Sequence, residues 1–132
     1  MQSLKNWFVL VAVSLFLAAC SSSGDPEQVA QAFTRAAYAG DVDKLMELID
    51  TPANAQANQK DMVRGKLQMM VAATSALAAQ KGGVDKIETG KVSYNEDKTI
   101  ATVPVTVLFE NDEKTTDSVR LVKVDGDWKV KL

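Results

Sequence analysis

Hydrophobic positions along the chain fall into three regimes. An apolar run, interrupted only by Ser14, occupies 7–19, apolar side chains then recur every three or four residues as far as Gln80, and from Val84 onward apolar and polar residues alternate. A period near 3.6 turns one face of a helix to a core, and a period of 2 does the same for a strand. Beyond the first run the chain is therefore expected to form helices and then strands.

The first helix is expected to open at Asp25-Pro26-Glu27-Gln28. That segment offers an N-cap carboxylate, a proline at the first helical position and a glutamine able to reach back as in a capping box. Its apolar face is Val29, Phe33, Ala36 and Ala37, and Gly40 is placed to end it. Asp41 caps a short helix over 42–49 that buries Val42, Leu45, Met46 and Ile49 and is terminated by Pro52. Residues 53–59 read as a loop or a fraying approach to a third helix over 60–80. That helix carries the stripe Val63, Leu67, Met70, Thr74 and Leu77, widened by Met62, Met69 and Ala73. Gly65 inside it costs about 1 kcal/mol relative to alanine, and Gly82-Gly83 stops it.

Four strands are expected after that stop. The first covers 87–94 with Gly90 as a bulge and turns at 95–98. The second turns Ala101, Val103, Val105, Val107 and Phe109 to one face. It contains Pro104, which cannot donate to a ladder, so that strand lies at an edge or is bulged there. A third strand covers 116–124, and Asp125-Gly126 is a hairpin signal. The fourth covers 128–132, with Trp128, Val130 and Leu132 inward. Together these elements predict one α+β domain over 26–132, with N-terminal helices packed on a curved antiparallel four-stranded sheet and the long helix across its concave face.

The first regime has a different meaning. Its 13 residues, apolar except for Ser14, follow a short segment with Lys5 and no acid, which fits a secretory leader and falls short of the roughly 20 residues of a membrane span. Leu17-Ala18-Ala19-Cys20 resembles the bacterial lipobox, in which small residues fit the signal peptidase and the cysteine sulfur receives a diacylglycerol. Cleavage between Ala19 and Cys20 makes 1–19 a lipoprotein signal peptide and 20–25 an acylated cysteine with a flexible tether. Acyl chains at about 0.8 kcal/mol per buried methylene hold such a chain on a bilayer without a protein span. Residues 21–25 reach at most about 18 Å, so the domain sits close to that bilayer. Ser21 stands where inner-membrane lipoproteins usually carry Asp. In a Gram-negative host the expected location is the outer membrane, facing the periplasm.

Composition narrows the chemistry. There is no histidine, one cysteine and 8 aromatic residues, which excludes a Ser/His/Asp triad, a histidine-ligated metal, an intrachain disulfide and a multi-cysteine cage. With 15 basic and 17 acidic residues the chain offers no basic surface for nucleic acid. The acids gather at Asp41/Asp43, Glu96/Asp97, Asp112/Glu113 and Asp125/Asp127, which are caps and turns. Asp125-Gly126-Asp127 lacks the length and terminal Glu of a calcium loop. No metal and no cofactor is expected.

Ala37-Tyr38-Ala39-Gly40-Asp41 followed by Val42-Asp43-Lys44-Leu45-Met46 resembles the opening of nuclear transport factor 2-like domains, a helix, a Gly-Asp step and a second helix. Leu121-Val122-Lys123-Val124-Asp125-Gly126-Asp127-Trp128-Lys129-Val130 is similar to the closing hairpin of small bacterial lipoproteins in an uncharacterised, lumazine-binding-like branch of that superfamily. The resemblance implies a cone-shaped α+β fold able to enclose a pocket, and no particular activity. Enzymes elsewhere in the superfamily use a buried Asp or an Asp/His pair with Tyr or Asp donors. Here there is no histidine, and the expected pocket-facing positions 101–109 carry no carboxylate.

The expected function is therefore that of a non-catalytic, membrane-anchored binding protein. A small apolar ligand would meet Phe33, Tyr38, Met46, Met70, Phe109 and Trp128. The alternatives are a module that binds or inhibits an envelope protein and, least favoured, an isomerase- or cyclase-type enzyme. The anchor has its own test. Cys20→Ala is expected to abolish incorporation of labelled fatty acid and leave the uncleaved precursor; a variant that is still labelled, or still matured, refutes lipidation.

Overall fold

The computed structural model describes residues 25–51 and 54–132. The leader, Cys20, the tether as far as Gly24, and Pro52 lie outside the described residues. Three helices, α1 (Pro26–Ala39), α2 (Val42–Leu48) and α3 (Ala57–Gln80), precede five strands: β1 (Val84–Thr89), β2 (Ser93–Tyr94), β3 (Ile100–Phe109), β4 (Lys114–Val124) and β5 (Asp127–Val130).

Helix ends follow local chemistry, with two departures from expectation. Pro26 occupies the start of α1, but the Asp25 side chain makes no capping bond. Its backbone carbonyl instead accepts from Gln28 and Val29. The reach-back expected of Gln28 occurs two helices later, at the start of α3. There the Gln59 side chain accepts from the Gln56 N–H at 3.0 Å, and this lets α3 begin three residues before the expected start. Gly40 ends α1 in the left-handed conformation at φ 79°. Asp41 then accepts from the Lys44 N–H at 3.1 Å and caps α2.

The strands form an antiparallel sheet in the order β1-β3-β4-β5, with β2 paired beside β1 on β3. The single first strand expected over 87–94 is thus two strands, and the reason lies in Pro104. β3 is central, so of the two readings of that proline the bulge is realised and the edge is not. Thr89 pairs with Val105 and Ser93 with Thr102, so the β1–β2 segment spends one more residue than β3 between the same two rungs. The Pro104 carbonyl accepts from the Gly90 N–H at 2.7 Å. N–H and C=O of one strand residue point the same way, so the donor that proline lacks faces the interruption. A Cβ on Gly90 would stand 3.1 Å from Pro104 Cγ, which is why glycine occupies the crossing.

The core forms between α1 and the sheet. Val29, Ala30, Phe33, Ala36 and Ala37 of α1 face Ala101, Val103, Val105, Val107 and Phe109 of β3, and all ten are buried. Gln31 Nε2 donates to the Ile87 carbonyl at 2.9 Å and fixes α1 along β1. Leu45, Ile49, Leu121, Trp128 and Val130 close the far end, where the Asp50 N–H donates to the Val130 carbonyl at 2.8 Å.

This placement corrects the expected position of the long helix. α1 touches β1, β3, β4 and β5, while α3 rests mainly on α1 and α2. Only Leu67 of α3 is fully buried. Val63, Met70 and Leu77 pack partly against the core, as the stripe predicts. Met62 and Met69 do not widen it, being 65% and 74% exposed, and Ala73 is exposed too. Leu45 of α2 and Ile49, just past its end, are buried, whereas Val42 and Met46 are only half-buried. Leu132 is exposed rather than inward, because β5 ends at Val130.

The two faces of α3 should answer differently to truncation. Leu67→Ala is expected to lower unfolding free energy by about 2–5 kcal/mol, and Met69→Ala to change it by less than about 0.5 kcal/mol. Urea denaturation followed by circular dichroism measures both; similar losses at the two positions would refute the assignment of faces.

Candidate functional site

The core is filled, and space remains where α1, α3 and the middle of the sheet diverge. A half-open cleft of about 240 Å³ lies there. α1 contributes Phe33, Thr34, Ala37 and Tyr38; α3 contributes Met70 and Thr74; β3 contributes Val105 and Val107; and β4 contributes Asp117, Ser118 and Val119. Two larger depressions of about 340 Å³ each are more open. One runs along the polar outer side of α1 and α2 past Arg35, Asp41 and Lys44. The other lies beside Asp50, Met62 and Lys66. Neither combines an aromatic wall with a polar group.

Local periodicity explains why these cleft residues meet. Phe33 and Ala37 belong to the buried stripe of α1, and Tyr38 is one position round the helix, at the stripe's margin. Its ring meets Phe109 edge-on, with centroids 6.0 Å apart and planes at 65°. The Thr74 hydroxyl lies 2.9 Å from the Ala37 carbonyl, to which it donates, so α3 is clipped to α1 at the cleft wall. The Thr34 hydroxyl donates to Ala30 at 3.0 Å. Both hydroxyls are thereby committed to helix carbonyls.

Ser118 has the opposite strand parity to Asp117 and Val119, so two inward polar groups remain available. Asp117 makes no ion pair among the described residues, and the Tyr38 hydroxyl has no hydrogen-bond partner among them. Burial raises the Tyr38 pKa above its ordinary 10.0, and the negative charge of Asp117 raises it further. The phenol is therefore neutral at physiological pH and retains both a donor and an acceptor.

Of the six aromatic and methionine positions expected to form walls, the structure gathers Phe33, Tyr38 and Met70 in this cleft. Phe109 is buried behind Tyr38 as its support. Met46 is half-buried on α2 and does not line the cleft. Trp128 is core at the other end of the sheet, with the Tyr94 ring 6.1 Å away and Lys123 Nζ 5.6 Å from its centroid. The residue that pattern reading missed is Asp117. It shares strand parity with Val119 and Leu121 and pairs with the buried Val105, so it is an acid on the inward face of β4. That parity was the available signal.

Family comparison agrees with the architecture. A model described as "Domain of unknown function (DUF4878)" matches residues 18–131. The chain belongs to this DUF4878 family. A protein from Campylobacter jejuni, provisionally named an NTF2-like transpeptidase, is similar to this DUF4878 chain at 35% identity. The match covers 82% of this chain and 98% of that one, with a TM-score of 0.74. RPA3114 from Rhodopseudomonas palustris, a SEC-C motif containing protein, is similar at 15% identity over 88% of this chain and 82% of that one, with a TM-score of 0.52. The second likeness is one of fold alone. No curated protein matches the sequence. The DUF4878 chain thus has the NTF2-like fold, three helices on a curled antiparallel sheet.

The Tyr38–Asp117 pair gives the site a measurable signature. A raised folded-state pKa means that the associated stability is fully present below about pH 10 and is lost as pH rises through the folded value. Ring-carbon NMR is expected to show Tyr38 titrating above 10.0. In Asp117→Asn the value should fall part of the way back, because burial, the larger cause, remains. Titration at or below the ordinary value, or no response to Asp117→Asn, refutes the description of the pair.

Proposed function

We propose that this DUF4878 protein is an exported lipoprotein of the lumazine-binding-like branch. In this reading acyl chains on Cys20 anchor it to the outer membrane on the periplasmic side, and its NTF2-like domain is a non-catalytic binder of a small, mainly apolar ligand. The observation that carries the binding role is the Phe33–Tyr38–Met70 cleft, which pairs apolar walls with two uncommitted polar groups. Convergence of a few polar groups on an apolar concavity is the usual composition of a ligand site. The cleft's 240 Å³ is below the 300–1,000 Å³ or so of drug-sized pockets, so the ligand is small.

The non-catalytic reading rests on how the hydroxyls are used. Transpeptidation, the activity in the Campylobacter protein's name, needs a nucleophile within hydrogen-bond reach of a base. Among the described residues no Ser, Thr or Tyr hydroxyl is bonded to a carboxylate, and the chain has no histidine to serve instead. A second reading has one specific observation behind it. Met62 and Met69 stand exposed on the outer face of α3, a surface suited to an envelope protein partner.

Native mass spectrometry of the acylated full chain, extracted from its host membrane, separates the two readings. A small molecule that stays bound and is lost when Ala37→Phe fills the cleft supports the ligand role. A bare mass accompanied by a stoichiometric protein, released by Met62→Glu/Met69→Glu, overturns it in favour of the partner.

A further inference from the structure

We infer that the cleft selects small organic cations, an ammonium group carried on a compact apolar body. The inference rests on the ligand-binding reading above and adds its chemistry. Tyr38 and Asp117 are the titratable residues of the cleft lining, and no basic side chain lines it. The nearest basic residues on β4, Lys114 and Arg120, have the opposite strand parity to Asp117, Arg35 lines the outer depression of α1, Lys81, which lies over the Phe109 ring, holds Glu113 at 2.7 Å, and Arg64 holds Asp43 at 3.0 Å.

Asp117 is therefore a carboxylate without a protein counter-charge, projecting from the inward face of β4 beside apolar surface. An ammonium group has donors and no acceptors, and the cleft offers it acceptors, the Asp117 oxygens and the Tyr38 hydroxyl oxygen. The aromatic rings of Phe33 and Tyr38 add faces that attract a cation. The thioether of Met70 and the methyls of Val105 and Val107 accommodate hydrocarbon of variable shape. At about 30 Å³ per non-hydrogen atom, the share of a water in the liquid, the 240 Å³ cleft holds about eight such atoms. An anionic ligand of the same size would meet the Asp117 charge with nothing to offset it, and this repulsion supplies selectivity.

The test uses the acylated full chain in phosphatidylcholine nanodiscs at pH 7, with methyl-labelled Met and Val and three probes of one shape: benzylammonium, benzyl alcohol and benzoate. Benzylammonium is expected to shift the Met70 and Val105 methyl signals with affinity about three- to fivefold above that of benzyl alcohol, the scale of a partly exposed charge pair. Benzoate is expected to bind weakest. Asp117→Asn, at an exposed position, is expected to remove the preference, so that the amine and the alcohol bind the variant with equal affinity. Equal binding of amine and alcohol, or a preference that survives Asp117→Asn, overturns the cation inference while the ligand cleft stands. If none of the three probes moves the Met70 methyl signal, the ligand-cleft reading fails as well.

Discussion

The packing of α1 onto the inward face of β3 is the contact from which the other placements follow. Ten buried side chains from two elements meet there; each of the valines and phenylalanines contributes about 1.5–3 kcal/mol at most on leaving water, and the four alanines less. Because α1 occupies the sheet, α3 is displaced to an outer layer and buries only Leu67 completely. Because α1 is only 14 residues long and ends at Gly40, the sheet is left partly uncovered beside its last turn. The cleft lies at that uncovered place, so its walls are continuous with the core and inherit its apolar character.

β3 can hold the centre of the sheet only because its neighbour accommodates Pro104. A central strand ordinarily donates on both sides, and Pro104 fails on one. The interruption between β1 and β2 lies on that side, and Gly90 crosses with its N–H on the Pro104 carbonyl. On the other side the ladder with β4 runs without a break from Ile100–Val122 to Leu108–Lys114. That uninterrupted register carries Asp117 to the cleft opposite Val105. A slip of one residue in β4 would turn the acid outward and bring Ser118 in.

These relations were unequally legible in the sequence. Alternation along 101–109, the Asp125-Gly126 turn and the Gly40 stop depend on neighbours close in the chain, and their periodicity was enough to predict the fold class. The position of α3 depends on which of two helices packs on the sheet, a contact between elements far apart in the chain. Its sequence is apolar on more than one side, so Met62 and Met69 could be assigned to the core by spacing alone. Phe33, Tyr38 and Met70 were within reach because they lie on or beside predicted stripes. Trp128 was correctly expected to be inward, but inward positions at the two ends of one sheet do not share a site. Asp117 was passed over because polar residues in strands are ordinarily counted as outward, whereas its parity with Val119 and Leu121 says otherwise.

In the lipoprotein reading proposed above, α1 also sets the distance between cleft and membrane. Its first residue, Pro26, follows the tether, and Tyr38 comes twelve residues later on the same helix, about 18 Å along the axis at 1.5 Å per residue. The five residues after Cys20 add at most about 18 Å. Whatever direction the helix takes, the cleft then lies within about 36 Å of the bilayer. Its ligand is met in the layer of periplasm next to the membrane, where small amphipathic molecules that partition to the bilayer surface are concentrated. A cleft with hydrocarbon walls and one charged rim group is matched to solutes of that kind.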